Sequence, residues 1–232
     1  PTPGAMTPPH RGHAALLHQA VARLEAAGFG VLGAWLSPSH DRYVQPKARS
    51  LSTIGFSAPF RLEIARRLVA EDELVAVGSW EAAPERGHWP DYPVVANALQ
   101  KELEKRSEAA QLQGSHGHVQ VFYCCGTDHA DKCGLYHGMG AEHGVGVVVV
   151  PRTGDSPKAE SPKRLVFVAE AASGEVAGFS STKLRRALEK QDLEQVAAAT
   201  SPSAAELLLQ PTDEHAAQFQ EDYKKLAALA EK

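Results

Sequence analysis

His10 and His13 stand three residues apart in Gly4-Ala5-Met6-Thr7-Pro8-Pro9-His10-Arg11-Gly12-His13, directly ahead of an apolar-periodic segment from Ala14 to Ala27. A helix starting here would aim its first backbone N–H groups, and the positive end of its dipole, at whatever lies in front of it. Two imidazoles at the same mouth add donors that take on charge as needed. That combination suits a polyphosphate. The competing reading makes both histidines ordinary polar residues of a loop and a first helical turn, and a motif this short does not decide between the two.

A second stretch of the same character lies near the other end of the chain, Phe179-Ser180-Ser181-Thr182-Lys183-Leu184-Arg185-Arg186-Ala187-Leu188. Ser180 or Ser181 can cap a helix here while the remaining hydroxyl and amide groups face an anion. Arg185 follows Ser181 by four residues and Thr182 by three, which puts its guanidinium on the helical face of those hydroxyls. Alone, this would be an N-cap followed by a solvated basic turn. A metal site is also considered at His129, Cys133 and His137, spaced by four, but Gly134 and Gly138 break the helix that would line up the three ligands.

The elements that must position these groups read as alternating helices and strands. Leu16, Leu17, Ala20, Val21 and Leu24 recur at helical spacing, and Gly28 closes that segment. Strands are expected at Phe29 to Leu36, Leu74 to Val77, Val119 to Cys125, Gly146 to Val150 and Leu165 to Ala169. Ser37 to Thr53 has no period and reads as a long functional loop. Ser57-Ala58-Pro59 opens a helix with an apolar Phe60, Ile64, Leu68 face, Arg61, Arg66 and Arg67 lying mostly off it. Val94 to Gln113 is a further helix, and Thr182 to Lys232 is nearly all helix, interrupted at Pro202 and Pro211. Near-continuous apolar strands alternating with helices predict an α/β, Rossmann-like, doubly wound parallel sheet with a helical C-terminal segment. Ligands in such sheets lie beyond the carboxyl ends of the strands, where the motifs fall.

With 232 residues, 43% of them hydrophobic, the chain can bury one substantial core, so a single domain over residues 1–232 is expected, with 179–232 as its helical C-terminal subregion. A net charge of −4 supplies no global basic field for nucleic acid or a membrane. Cys124, Cys125 and Cys133 are odd in number and lack paired metal spacing, which fits a reducing compartment. No apolar run approaches the roughly 20 residues of a membrane span. An intracellular, most simply cytoplasmic, protein is expected, with nucleus, organelle and homo-oligomer left open.

Together the two phosphate-binding stretches resemble the nucleotidylyltransferase family, whose signatures are G-x-F-x-P-x-H-x-G-H after a first strand and I-S-S-T-x-I-R near the end. Gly4, Pro8, His10, Gly12 and His13 match the first, with Met6 in place of Phe; Ser180, Ser181, Thr182 and Arg185 match the second. Between them, Ser37-Pro38 with Asp41, Tyr43 and Lys47, then Arg61, Ser79-Trp80-Glu81, Gly126-Thr127-Asp128 and Arg152-Thr153-Gly154 follow the order of one branch, nicotinamide/nicotinate mononucleotide adenylyltransferase. Ala5, Met6 and Thr7 depart from that branch's Ser, Phe and Asn. The family's first strand would precede Gly4, where only Pro1-Thr2-Pro3 stands; either that strand lies upstream of the sequence given or the sheet lacks it, and the first is expected because losing a central strand would leave unpaired backbone groups in the core.

The resemblance implies adenylyl transfer from ATP to a pyridine mononucleotide, giving NAD or deamido-NAD plus pyrophosphate. It makes His10, His13, Lys47 and Arg185 the catalytic phosphate-holding groups, with Mg²⁺ carried by ATP and no protein metal ligand assigned. Gly4, Ala5, Gly12, Gly126, Asp128, Ser180, Ser181 and Thr182 would line the ATP site, and Trp80, Glu81, Tyr136 and Arg152 the mononucleotide site. Trp80 would stack on the cationic pyridinium, Tyr136 supplying a second ring. The alternative from another class is a non-catalytic relative serving as an assembly or chaperone-like component.

Overall fold

The computed structural model describes residues 2–83, 85, 87–109, 119–140 and 144–230. Along it run β1 (Thr2–Gly4), α1 (Arg11–Ala26), β2 (Ala34–Pro38), α2 (Asp41–Ser50), α3 (Ala58–Leu68), β3 (Val75–Val77), α4 (Tyr92–Ala109), β4 (Phe122–Gly126), α5 (Thr127–Cys133), β5 (Gly146–Val150) and β6 (Val166–Val168). Five α-helices follow among the described residues: α6 (Ser181–Glu189), α7 (Leu193–Ala199), α8 (Pro202–Leu209), α9 (Asp213–Gln218) and α10 (Gln220–Ala230). The strands pair in two sets of three, ordered β1-β2-β3 and β4-β5-β6. β2 and β3 are parallel, as are β4, β5 and β6. Parallel neighbours need a crossover, and helices supply it: α2 and α3 between β2 and β3, α5 between β4 and β5. This is the expected α/β class with a helical C-terminal region.

The chain divides into two compact units, one of Pro1–Pro3, Leu16–Leu32 and Pro90–Ala172, the other of Gly4–Ala15, Gly33–Trp89 and Ser173–Lys232. In the first, β5 is the middle strand of its set and every one of its residues is buried. Gly146 in it has no substitute, because a Cβ there would meet the Phe122 ring at 2.3 Å. Phe122, Phe29 and Phe167 pack edge to face, with the Arg23 guanidinium over Phe167 and paired to Glu160. Phe29 therefore opens no strand. The segment from Gly28 to Gly33 is irregular, and the strand expected at Phe29 to Leu36 begins only at Ala34.

In the second unit the core is built where α3 meets the C-terminal helices. Phe60 lies against Phe56, Phe219 and Tyr223, with Ile64, Leu184 and Leu188 buried beside them. β1, of which only Gly4 belongs to this unit, forms a strand at Thr2–Gly4 in a segment where the sequence offered none, and it is an end strand in the order β1-β2-β3. Pro3 is tolerated there because an end strand needs donors on one side only. The Ser39 N–H extends the pairing to the Gly4 carbonyl.

Two expectations are corrected in this unit. Residues 41–50 form helix α2, where a loop was expected. Its signals are the His40 N-cap, Asp41 in the first turn and buried Val44 and Ala48 four residues apart, whereas Pro46 obscured the period by removing one helical donor. Arg61, expected mostly off the buried face of α3, is fully buried. Its Nε donates to the Phe56 carbonyl, Nη1 to Ala5 O at 3.0 Å, and Nη2 to Ser39 O at 2.6 Å and Asp41 Oδ1 at 2.9 Å. Burial pulls the guanidinium pKa down, and Asp41 opposes the shift. The other differences lie at element ends. α4 runs over Tyr92–Ala109 and β4 over Phe122–Gly126, while residues 110–118 of the expected helix and strand lie outside the described residues.

Arg61→Met should lower the unfolding free energy by about 3–5 kcal/mol, since it strands Asp41 and three carbonyls that the guanidinium satisfies. Arg66→Met, on an exposed position of the same helix, should stay within about 0.5 kcal/mol of wild type. Urea midpoints of the two variants measure the contrast.

Candidate functional site

The segment between β1 and α1 is held in place at each step. Ala5 O is bound by Arg61, and the Thr7 hydroxyl donates to Ile54 O at 3.0 Å while accepting from the Phe56 N–H at 3.2 Å. Met6, with φ of 43°, is buried. At the mouth of α1 the Gly12 N–H donates to His10 Nδ1 at 3.2 Å, and the His10 N–H donates to His13 Nδ1 at 3.1 Å. Both Nδ1 atoms thus act as acceptors, which assigns the proton of each neutral ring to Nε2. The two rings lie 3.8 Å apart, centroid to centroid, tilted by 38°. Gly12 is required by this approach. A Cβ there would come within 2.9 Å of the His10 imidazole.

Helix α6 meets this loop. Its N-cap is Ser180, whose hydroxyl accepts from the Lys183 N–H, and Leu184, Ala187 and Leu188 anchor its inner face in the core. Ser181 Oγ donates to Pro8 O at 3.0 Å, and Arg185 donates from Nη1 to Thr7 O at 2.8 Å and from Nη2 to Thr182 Oγ1 at 3.1 Å. Desolvation lowers the Arg185 pKa from its ordinary value. Arg11 adds a third tie, its Nε donating to Thr200 O. The His10–His13 loop and the Ser180–Arg185 helix start, far apart in sequence, are thereby joined side by side in one unit. Sequence spacing anticipated the Arg185–Thr182 pair. It could not anticipate that Ser181 and Arg185 hold the loop carbonyls.

Other candidate residues of this unit lie on α2 and after β3. Lys47 is exposed on α2, its ammonium donating to the Tyr43 hydroxyl and lying over that ring. The described hydrogen bonds of Lys47 tie it to Tyr43 rather than to His10, His13 or Arg185. Trp80 is 40% exposed, so it is no core residue. Glu81, next to it, is buried and accepts from Ser37 Oγ at 2.7 Å.

The first unit carries the rest. Gly126 ends β4 and caps α5, and Asp128 is exposed in the first turn of that helix. Arg152 follows β5; its N–H donates to Asp155 and holds that carboxyl below the usual range. Tyr136, expected to offer a second stacking face, is packed instead among Leu135, Met139 and Val166, with the Lys158 ammonium 5.4 Å from its ring centroid. Its burial follows from the turn at Gly134, left-handed at φ 67°, which folds residues 135–137 back onto the sheet. The same turn separates His137 from α5, leaving Cys133 Sγ 3.9 Å from His129 Nδ1. Among the described residues no three His, Cys, Asp or Glu side chains converge on a cation.

Two buried polar positions were missed in the sequence. His40 caps α2 and is buried, and Asp222 is buried under α3, its carboxylate taking both the N–H and the hydroxyl of Ser57. His40 could have been found as a polar residue before Asp41 at a helix start. Asp222, 165 positions from Ser57, left no local signal.

No protein-family model matches the chain, and no curated protein matches it. Among solved structures it is similar to Plasmodium falciparum nicotinic acid mononucleotide adenylyltransferase complexed with APC, at 10% identity over 94% of each chain and a TM-score of 0.54. It is also similar to the same enzyme complexed with NaAD, at 11% identity, the same coverage and a TM-score of 0.54. At this identity the likeness establishes the fold: the chain has the α/β fold of a nucleotidyltransferase. Among the described residues no helix is long and apolar enough to cross a membrane.

Gly12→Ala should displace the His10 ring and cost about 1–3 kcal/mol of stability through overpacking. The check is a urea titration beside the imidazole chemical shifts of His10 and His13. Both rings should move together, because the His10 N–H holds His13.

Proposed function

We propose that this protein transfers the adenylyl group of ATP to the phosphate of nicotinamide or nicotinate mononucleotide, releasing pyrophosphate. The observation that carries this reading is the meeting of the His10–His13 loop with the Ser180–Arg185 helix start through Ser181 and Arg185. An oxygen of the acceptor phosphate would attack the α-phosphorus of ATP while the bond to the β-phosphate oxygen breaks, its electron pair leaving with pyrophosphate. The acceptor is already an anion, so no side chain needs to remove a proton. The work left to the protein is alignment and charge stabilisation.

In this reading the Nε2–H groups of His10 and His13 donate to the phosphates, and Thr182 and Arg185 support the leaving pyrophosphate. Lys47, 3.1 Å from Tyr43 Oη, would swing from that hydroxyl toward the acceptor phosphate or the γ-phosphate. Mg²⁺ would arrive on the ATP phosphates and lower their charge. Trp80, exposed after β3, would lay its indole on the pyridinium ring, an interaction of roughly 1–2 kcal/mol when desolvated. One observation favours the second reading, a non-catalytic relative: Ser181 and Arg185 already donate to loop carbonyls, as a purely structural latch would.

Incubation with ATP, Mg²⁺ and each mononucleotide should yield a dinucleotide and an equal amount of pyrophosphate. No dinucleotide with either acceptor would leave the second reading. His13→Ala should lower kcat by roughly 10²–10³-fold with little change in the KM for ATP, the pattern of a donor that acts on charge developing in transfer. Trp80→Ala should raise the acceptor KM about tenfold and leave both the ATP KM and the melting temperature nearly unchanged.

A further inference from the structure

A cleft of about 300 Å³ opens in the second unit between the start of α2, the start of α3 and the turn after β3. Ala58, Pro59, Leu62, Ala82 and Ala83 make its apolar wall, and His40, Asp41, Ser79 and Glu85 contribute polar atoms. His40 is 5% exposed, and its Nδ1 accepts the Arg42 N–H at 3.0 Å. That hydrogen bond assigns the proton to Nε2 in the neutral ring. Nε2 is buried and has no hydrogen-bond partner among the described residues. A buried N–H without an acceptor costs about 1–3 kcal/mol, so a donor kept in this state points to an acceptor brought by something else.

The acceptor can be specified. Asp41 spends one oxygen on Arg61 and the other on the Ala58 N–H, so it binds no ligand strongly. Glu85 and the Ser79 hydroxyl remain on the lining as groups able to accept. Among the described lining residues there are two carboxylates and no cation. A free carboxylate ligand would meet repulsion here. A primary carboxamide matches both sides: its carbonyl oxygen takes the Nε2–H, and its amide N–H groups face oxygen acceptors. The cleft also lies on the turn that carries Trp80 and Glu81, since Ser79, Ala82 and Ala83 flank that pair.

We propose that this cleft receives the carboxamide of an aromatic acceptor ring, the His40 ring turning to bring its buried Nε2–H to the carbonyl oxygen, which makes His40 a specificity-determining residue. The proposal rests on the pyridine-acceptor reading for its ligand class and adds the preference of amide over acid. The carboxylates of Asp41 and Glu85 on the lining set that preference.

The test uses the full chain and three free probes, nicotinamide, nicotinate and 3-methylpyridine, with affinities taken from NMR titration. Wild type should bind nicotinamide more tightly than nicotinate, and 3-methylpyridine, which has the ring without the carbonyl, most weakly. His40→Asn keeps a good N-cap for α2 but does not reach into the cleft. It should weaken nicotinamide binding about five- to tenfold, leave 3-methylpyridine unchanged, and retain the wild-type urea midpoint. Should that variant unfold, Ala83→Leu, which narrows the cleft from its rim, serves in its place and should abolish nicotinamide binding. Equal affinity for nicotinamide and 3-methylpyridine, tighter binding of nicotinate, or unchanged nicotinamide binding in a folded variant would overturn the proposal. None of these outcomes depends on turnover. Dinucleotide formation with a His40→Asn acceptor KM equal to wild type would retire the subsite alone, whereas nicotinamide binding that depends on His40 without any dinucleotide would retire the adenylyltransferase reading alone.

Discussion

A fully buried arginine is the constraint on which the second unit depends. Arg61 has no exposed surface, and taking its charge out of water costs several kcal/mol before any partner is counted. That cost is offset only if nearly every N–H of the fork finds an oxygen in the right direction. The oxygens come from four places: Ala5 before α1, Ser39 after β2, Asp41 at the start of α2 and Phe56 before α3. Each of these segments is consequently fixed to the others through a single side chain. Lysine could not replace it, because a compact ammonium cannot span the separation that a planar five-donor guanidinium covers.

The His10–His13 loop is therefore braced from beneath by Arg61 and from the side by α6. Ser181 and Arg185 bind the carbonyls of Pro8 and Thr7, and Arg11 reaches Thr200. α6 can do this because its opposite face is sunk in the core that α3 shares with the C-terminal helices. Asp222 on α10 in turn caps the approach to α3 through Ser57. A loop ordered in advance gives up less entropy if a ligand is received there. The helices α7 to α10 contribute to that order by packing against α3 and α6.

Helix α2 plays the matching part on the other side of the same unit. Glu81 is held by Ser37 just ahead of the helix, the Gly87 carbonyl accepts from Arg42, and the Trp89 ring lies 5.2 Å from that of Tyr43. The segment bearing Trp80 is thus pinned at three points while Trp80 itself keeps part of its surface in solvent. An exposed indole on a fixed segment, beside a cleft with an unsatisfied buried donor, is an arrangement that protein stability alone does not call for.

What the amino-acid sequence determined by itself was everything encoded within a turn or a strand. The five buried residues of β5, the Ser57-Ala58-Pro59 start of α3, the Ser180 cap of α6 and the Gly28 end of α1 were legible because neighbouring residues decide them. The helix starts at His10–His13 and Ser180–Arg185 were legible for the same reason, since each is set by residues within one turn. Tertiary structure decided whatever needed a distant partner. α2 forms despite Pro46 because Val44 and Ala48 are buried and His40 caps it. Tyr136 goes to the core and Trp80 to the surface, although both are large aromatic residues in short segments after a strand. Arg61 turns inward because carbonyls from three other segments converge on it, and no periodicity along one helix records where those carbonyls lie.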